Sequence, residues 1–414
     1  YAKEQNITIR KNRITAASTQ IDVKTAKAAL FPSLSFSTSQ QVVNRPYQET
    51  SSRVSGSEII SSNSKTSYNG NYGLNASWTL YNGNKRLKTI QQEKLNNQVA
   101  ELDVATSENN IQESIAQVYI QILYAAESVK VNESTLQVSI AQRDRGQELL
   151  NAGSIAKSDF AQLEAQVSTD RYQLVTAQAT LEDYKLQLKQ LLELDGENEM
   201  NIYLPALSDE NVLAPLPTKK DVYISALSLR PEIEASKLNV EASELGIGIA
   251  KSSYLPTISL SAGIGTNHTS GSDFTFGEQV KNGWNNSIGL SVSVPIFNNR
   301  QTKSAVQKAK LQYETSMLSL LDEQKTLYKT IEGLWLDANS AQQRYAAANE
   351  KLKSTQISYE LISEQFNLGM KNTIELLTEK NNLLQAQQEQ LQAKYMAILN
   401  TQLLKFYQGD QLAL

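Results

Sequence analysis

His268 is the only histidine in 414 residues, and there is no cysteine. Without a thiol there is no disulfide, no thiolate metal site and no cysteine nucleophile. His268 sits in the polar run Thr266-Asn267-His268-Thr269-Ser270-Gly271-Ser272, which reads as a solvated loop and not as a catalytic base. Neither a G-x-x-x-x-G-K-S/T phosphate loop nor a metal-binding histidine pair occurs. Carboxylates are plentiful, with 43 Asp and Glu. They fall on long helix-like runs without a pocket, so they read as solvated faces. These residue types assemble no enzyme active site, no cofactor site and no metal site. The chemistry left to the chain is that of a surface, built from rows of hydroxyl, amide and glycine positions.

Those rows lie in segments that alternate with period 2. Tyr68, Gly70, Tyr72, Leu74, Ala76, Trp78 and Leu80 point one way, against Asn69, Asn71, Gly73, Asn75, Ser77 and Thr79. Ile258, Leu260, Ala262 and Ile264 oppose Ser259, Ser261, Gly263 and Gly265. Trp284, Ile288, Leu290, Val292 and Val294 oppose Asn285, Ser287, Gly289, Ser291 and Ser293. A weaker fourth run sets Leu34 and Phe36 against Ser33, Ser35 and Ser37. Each is near the length a tilted strand needs to cross a bilayer. A soluble sheet places Lys, Glu and Arg on its wet face. Here the polar partners are small and uncharged, which suits a water-filled lumen. Aromatic residues gather at the ends of the runs (Phe31, Trp78, Tyr81, Tyr254, Trp284 and Phe297), like the girdles of an outer-membrane barrel. A two-sided soluble sheet is the alternative reading.

The chain also says most things twice. Ala26-Lys27 and Pro32 return as Ala250-Lys251 and Pro256, an offset of 250 − 26 = 224. Leu80-Tyr81-Asn82 and Gly153 return as Ile296-Phe297-Asn298 and Gly369, both at 216. Two copies of one supersecondary unit build an architecture and not a catalytic pocket. The expected first copy is 1–219: helix 1–30, strands about 31–47 and 66–82, helical hairpin 83–195 and linker 196–219. The expected second copy is 220–414: helix 220–253, strands about 256–268 and 284–297, and hairpin 298–408. Asn44 to Lys65 and Thr266 to Gly283 read as long loops.

The hairpins carry 3/4-spaced apolar residues. Ile111, Ile115, Val118, Ile122 and Val129 form one run; Phe160, Leu163, Val167, Leu174, Ala177, Leu181, Tyr184, Leu188 and Leu191 form another, with Asp170 as a polar break. Leu377, Leu384, Leu391 and Ile398 fall seven apart, as in a coiled-coil seam. A continuous helix from residue 83 to 151 would be roughly 100 Å long at 1.5 Å per residue. Glycine at Asn151-Ala152-Gly153-Ser154 and at Asn367-Leu368-Gly369-Met370 supplies the left-handed residue that closes a helix.

Net charge is −4, with 39 Lys and Arg, which is not the footprint of a nucleic-acid binder. No run of 18 apolar residues marks a membrane helix. The chain opens at Tyr1 inside a helix-like polar run, which reads as a processed or trimmed N-terminus. Four strands cannot close a barrel, and an open edge cannot sit in lipid. Two copies would give eight strands with a filled interior; three would give twelve, wide enough for water. The small lumen residues favour three.

The order helix, P-S/T-L/I-S, strand pair and long hairpin, stated twice, resembles the TolC-like outer-membrane efflux ducts. Leu229-Arg230-Pro231-Glu232-Ile233 and Ala250-Lys251-Ser252-Ser253-Tyr254-Leu255-Pro256 resemble the family's R-P-E and A-K/R-x-x-Y/F-x-P segments. The resemblance covers essentially the whole chain. It implies an α+β membrane protein: a homotrimer with a 12-stranded outer-membrane barrel, four strands per chain, continued by a periplasmic α-helical barrel. Residues 196–219 and the end from Phe406 to Leu414 would form an equatorial belt. The implied partners are outer-membrane lipid, a periplasmic adaptor (membrane fusion) protein and an inner-membrane pump. The implied gate is Ser158, Asp159 and Lys371 linking adjoining helices, with an acid ring at Glu375. Phe366 stands where the family has a tyrosine, and Thr378 where it has a second acid. The implied docking tips are Gly153, Ser154 and Ile155, and Gly369 and Met370. Export of small molecules is the reading carried forward. A type I protein secretion duct and a structural coiled-coil surface protein are its alternatives.

Overall fold

A computed structural model describes residues 1–47, 51–55, 58–62, 65–194, 202–203 and 212–412. In chain order these form α1 (Ala2–Gln5), α2 (Ile7–Ala28), β1 (Ser33–Asn44), β2 (Ser51–Ser55), β3 (Glu58–Ser62), β4 (Thr66–Asn82), α3 (Lys85–Asn151) and α4 (Lys157–Leu191). The second half holds α5 (Lys219–Leu229), α6 (Pro231–Ser252), β5 (Thr257–Thr269), α7 (Phe276–Asn282), β6 (Asn285–Ser293), α8 (Gln301–Asn367) and α9 (Thr373–Gln408). The chain divides into two compact units. One comprises residues 16–99 and 236–319 and carries the sheet; the other comprises 1–15, 100–235 and 320–414 and is helical. Among the described residues no helix is long and apolar enough to cross a membrane.

In the sheet unit the four long strands are antiparallel in the order β1-β4-β5-β6. Among the described residues β1 and β6 each have a strand on one side only. The strands are shorter than the alternation predicts at three ends. Phe31 and Phe297 lie outside the ladder, because Pro32 lacks the N–H a ladder needs and Pro295 does the same beyond β6; Trp284 lies between the end of α7 and the start of β6. Two expected loops are partly regular. The 44–65 connection holds the antiparallel pair β2–β3, whose β-branched content favours extended backbone. Residues 266–269 extend β5, so His268 lies on a strand and not in a loop. Beyond them Thr275 and Glu278 form a reciprocal capping box that starts α7.

Both helices expected ahead of the strands are interrupted. Asn6 breaks the first: its Oδ1 accepts from the Thr8 N–H at 2.9 Å and so caps α2. Arg230 breaks the second, at φ −77° and ψ 124°, because the residue before a proline is driven out of the helical region. Each strand-to-helix turn uses two left-handed residues, Gly83 and Asn84 in the first copy and Asn299 and Arg300 in the second. The spacing, 299 − 83 = 216, matches the repeat.

The helical unit is held by apolar clusters. Ile120, Leu123, Tyr345, Ala397, Leu399 and Leu403 form one; Val222, Ala226, Ile233, Ile331, Leu404 and Tyr407 form another. Full burial of each large side chain contributes about 1.5–3 kcal/mol. The R-P-E segment sits at the second cluster. Arg230 is buried; its Nε donates to Glu232 at 2.8 Å and its Nη2 to Glu113 at 3.1 Å. Its guanidinium carbon lies 4.1 Å from the Tyr407 ring. Burial raises the Glu113 carboxyl above its ordinary value and pushes the Tyr407 hydroxyl up to about 12. The segment is therefore a structural junction that ties the α5–α6 elbow to α3 and α9.

Candidate functional sites at the helix tips and on the sheet

The two tips are built alike. Gly153 and Gly369 have φ of +74° and +73°, a conformation that glycine adopts without a Cβ penalty. Ser154 N–H donates to Leu149 O, and Met370 N–H donates to Gln365 O, both at 2.8 Å. These five-residue back-bonds are the Schellman closure of α3 and α8. Leu368 and Met370 are exposed, and Ile155 is half-buried.

The acids singled out by resemblance occupy one repeated place. Asp159 and Glu375 are 216 apart, and each reaches back over its helix start. Asp159 Oδ2 accepts from Ala156 N–H at 3.3 Å. Glu375 Oε2 accepts from Asn372 N–H at 3.3 Å, and Asn372 Oδ1 accepts from Glu375 N–H at 2.9 Å. Lys371 Nζ donates to Glu375 Oε1 at 2.5 Å. Within this chain, then, Lys371 is engaged with Glu375 and not with Asp159 or Ser158. Ser158 is exposed, and Thr378 turns its hydroxyl to its own helix, at Ile374 O, 2.8 Å. Glu379, next to Thr378, accepts from Ser358 of α8 at 2.9 Å. Phe366 is 2% exposed and packs with Leu163 and Leu376, so here the aromatic ring is core.

The Lys371 hydrogen bond, then the Asn372 N–H, holds the Glu375 carboxyl below its ordinary 4.5. Its contribution to the first turn of α9 is complete above that value and is lost as pH falls through the lower folded value. Glu375→Gln should lower the hydrogen-exchange protection factors of the amides at Thr373 to Leu376 at neutral pH, and acid should lower the same protection factors in the unaltered chain once the intrinsic pH dependence of exchange is divided out. Equal exchange in both proteins at pH 7 would remove this role.

Above the tip core lies a polar layer that sequence reasoning missed. Lys380, 3% exposed, donates to Asp170 Oδ2 and to Ser139 Oγ. Ser139 also donates to Asp170, and Gln166 Nε2 donates to Asp170 Oδ1 at 2.9 Å. The layer joins α3, α4 and α9. Burial pushes the Lys380 ammonium below its ordinary value, while Asp170 opposes that shift. A signal existed. Asp170 was visible as a polar break, and Lys380 falls four after Leu376 and three before Leu383. The buried face of α9 includes Leu376, Lys380, Leu383 and Ala386, one position ahead of the half-buried Leu377 and Leu384 of the predicted seam.

On the sheet, residues opposed in the ladder share a face. One face carries the rows Trp78–Leu260–Leu290, Leu34–Ala76–Ala262–Ile288 and Phe36–Leu74–Ile264. The other carries Ser33–Ser77–Ser261–Gly289, Ser35–Asn75–Gly263–Ser287 and Ser37–Gly73–Gly265–Asn285. Polar neighbours bond along these rows: the Ser33 and Ser77 hydroxyls lie 2.7 Å apart, and Asn285 donates to Gly265 O at 3.1 Å. A register shift between Thr79 and Tyr81 bulges Leu80 out and sets Tyr81 opposite Ile258. The alternation had placed Leu80 there. The apolar face is largely exposed within the chain, with Ile288 78% and Leu290 64% exposed. From the Ile258 row to the Thr266 row is eight residues of β5, about 26 Å along the strand.

A profile described as outer membrane efflux protein matches residues 1–193 and 222–409. The outer membrane efflux protein BepC of Brucella suis is 24% identical over 294 residues, 70% of this chain and 61% of BepC. The outer membrane protein TolC of Escherichia coli is 23% identical over 311 residues, 73% of this chain and 62% of TolC. The chain thus spans less than two thirds of either relative. A crystal structure of CusC, reported with its transmembrane channel formation, superposes with a TM-score of 0.83 at 18% identity, covering 99% of this chain and 90% of CusC.

Proposed function

Because the chain belongs to the outer membrane efflux protein family, we propose that it forms a trimeric exit duct in the bacterial outer membrane and passes small molecules outward from a periplasmic adaptor and an inner-membrane pump. The observation that carries this is the four-stranded sheet, apolar and largely exposed on one face, small and polar on the other, with no further strand on β1 or β6 among the described residues. Bare edges in lipid leave backbone groups unpaired at a cost of several kcal/mol each. Pairing β1 of one copy with β6 of the next removes them all, and three copies give twelve strands around water.

On this reading the tips are the working end. Lys371 would exchange Glu375 for Asp159 and Ser158 of a neighbouring copy in the closed state, and three Glu375 carboxylates would ring the axis. Gly153, Ser154, Ile155, Gly369 and Met370 would meet the adaptor through the exposed turns. Exposed charge links are individually weak, about 0.2–1 kcal/mol, so closure needs all three copies together. Native mass spectrometry of detergent-extracted protein should give a trimer. In planar bilayers, Lys371→Ala with Asp159→Ala should raise single-channel conductance. A soluble monomer would defeat the duct reading; a trimer whose conductance is untouched by the double change would defeat the gate.

A further inference from the structure

The connection between β5 and β6 does not project freely. Its helix α7 is fastened to the apolar face of the sheet. The Thr266 hydroxyl, on the same face as Ile264 and Ala262, donates to Val280 O at 2.6 Å. Gln279 Oε1 accepts from Thr269 N–H at 2.8 Å. The chain's one histidine is the wedge between them. His268 stacks on Tyr72 with centroids 5.8 Å apart, and Phe276 of α7 meets it edge-on at 5.1 Å. The imidazole lies directly over Gly70, where a Cβ would come within 2.1 Å of it. Gly70 is thus the vacancy that lets an aromatic stack form at this level.

This position coincides with the first polar break in the rows that β1, β4 and β5 share on the apolar face. Below it the face is Leu, Ile, Ala, Phe and Trp, with Asn286 ending the Ile264 row; at it the row is Thr38–Tyr72–Thr266, next Gln40–Gly70–His268, and beyond them Val42–Tyr68. Phe276 opens the helix, Phe274 and Trp284 flank it, and all three remain exposed, Phe276 at 57%. The charged residues Asp273, Glu278 and Lys281 accompany them, and Glu278 is committed to capping Thr275. Aromatic side chains beside polar ones, at the border of a lipid-facing band, belong at the headgroup level of a bilayer. A short amphipathic segment there lies in the interface plane.

We propose that α7, with Phe274, Phe276 and Trp284, is an interfacial anchor that lies in the headgroup layer of the outer leaflet and keeps the 270–284 connection off the mouth of the duct. The partner is a lipid surface, and His268 sets the helix upon it. The proposal rests on the barrel reading above.

The absence of cysteine makes the test direct. Single variants Phe274→Cys and Phe276→Cys carry a nitroxide label in reconstituted vesicles, alongside Leu290→Cys within the apolar face and Ser39→Cys on the polar face. Collision with oxygen, which partitions into lipid, is compared with collision with a water-soluble nickel chelate. The labels at 274 and 276 should favour oxygen over nickel, between the Leu290 value and the Ser39 value. His268→Ala should shift the Phe274 label toward nickel while leaving Leu290 unmoved. If Leu290 reads as lipid while 274 and 276 read as Ser39 does, the anchor is wrong and the barrel stands. If Leu290 itself reads as water, the barrel reading fails and the anchor with it.

Discussion

Asp170→Leu alone should destabilise the helical tip region by about 3–5 kcal/mol, whereas Asp170→Leu combined with Lys380→Met should be close to neutral or more stable than the original. The asymmetry follows from burial. Lys380 and Asp170 are each 3% exposed. Removing one partner strands the other. Replacing both with apolar groups of similar volume removes the desolvation cost together with the attraction. The single variant also carries a pH signature. Burial already holds the Lys380 ammonium below its ordinary value, and without Asp170 nothing opposes that shift. The folded state then binds fewer protons than the unfolded one, so stability should climb as pH rises from neutrality toward the ordinary lysine range. Denaturant titration followed by helical ellipticity gives all four corners of the cycle. Additive single changes, each under 1 kcal/mol, would show that the layer is not a coupled buried pair.

Leu260→Arg or Leu290→Arg should cost about 2–4 kcal/mol in a bilayer, because both lie mid-band on the apolar face. Their ladder partners, Trp78 and each other, offer no counter-charge. One residue away, Ser261→Arg and Ser291→Arg should fold. In the proposed trimer this adds three guanidiniums to the lumen, which should lower conductance to cations. Folding into vesicles under a urea series separates the two sets, and planar-bilayer recording reads the second. Similar tolerance at Leu290 and Ser291 would mean that the two faces are wrongly assigned.

Much of the fold was legible in residue spacing. Period-2 alternation locates β4, β5 and β6 because a strand sends successive side chains to opposite faces. The 216-residue offset was legible as well, and it later pairs the Schellman closures at Gly153 and Gly369 and the capping acids Asp159 and Glu375. The candidate site was legible in part. Turn glycines announce tips, but what a tip charge does depends on its neighbours. Lys371 next to Glu375 looks the same in sequence as Lys371 free to reach Asp159. Phe366 read as a gate residue lacking a hydroxyl, and its burial needs Leu163, 366 − 163 = 203 residues earlier in the chain, as well as the nearby Leu376.

By itself, then, the sequence determined the local and the periodic: two copies of one unit, strands with one apolar and one small polar face, long amphipathic helices and their glycine closures. Backbone propensity and side-chain periodicity act over a few residues and need no partner to be read. Tertiary structure alone decided what needs two distant segments at once. It placed His268 over Gly70 and under Phe276, bulged Leu80 from its row, and gave Arg230 to Glu113 and Tyr407. It also brought Lys380 to Asp170, 210 residues away. Each of these depends on desolvation and close packing, and those energies belong to the meeting of segments and not to either segment alone.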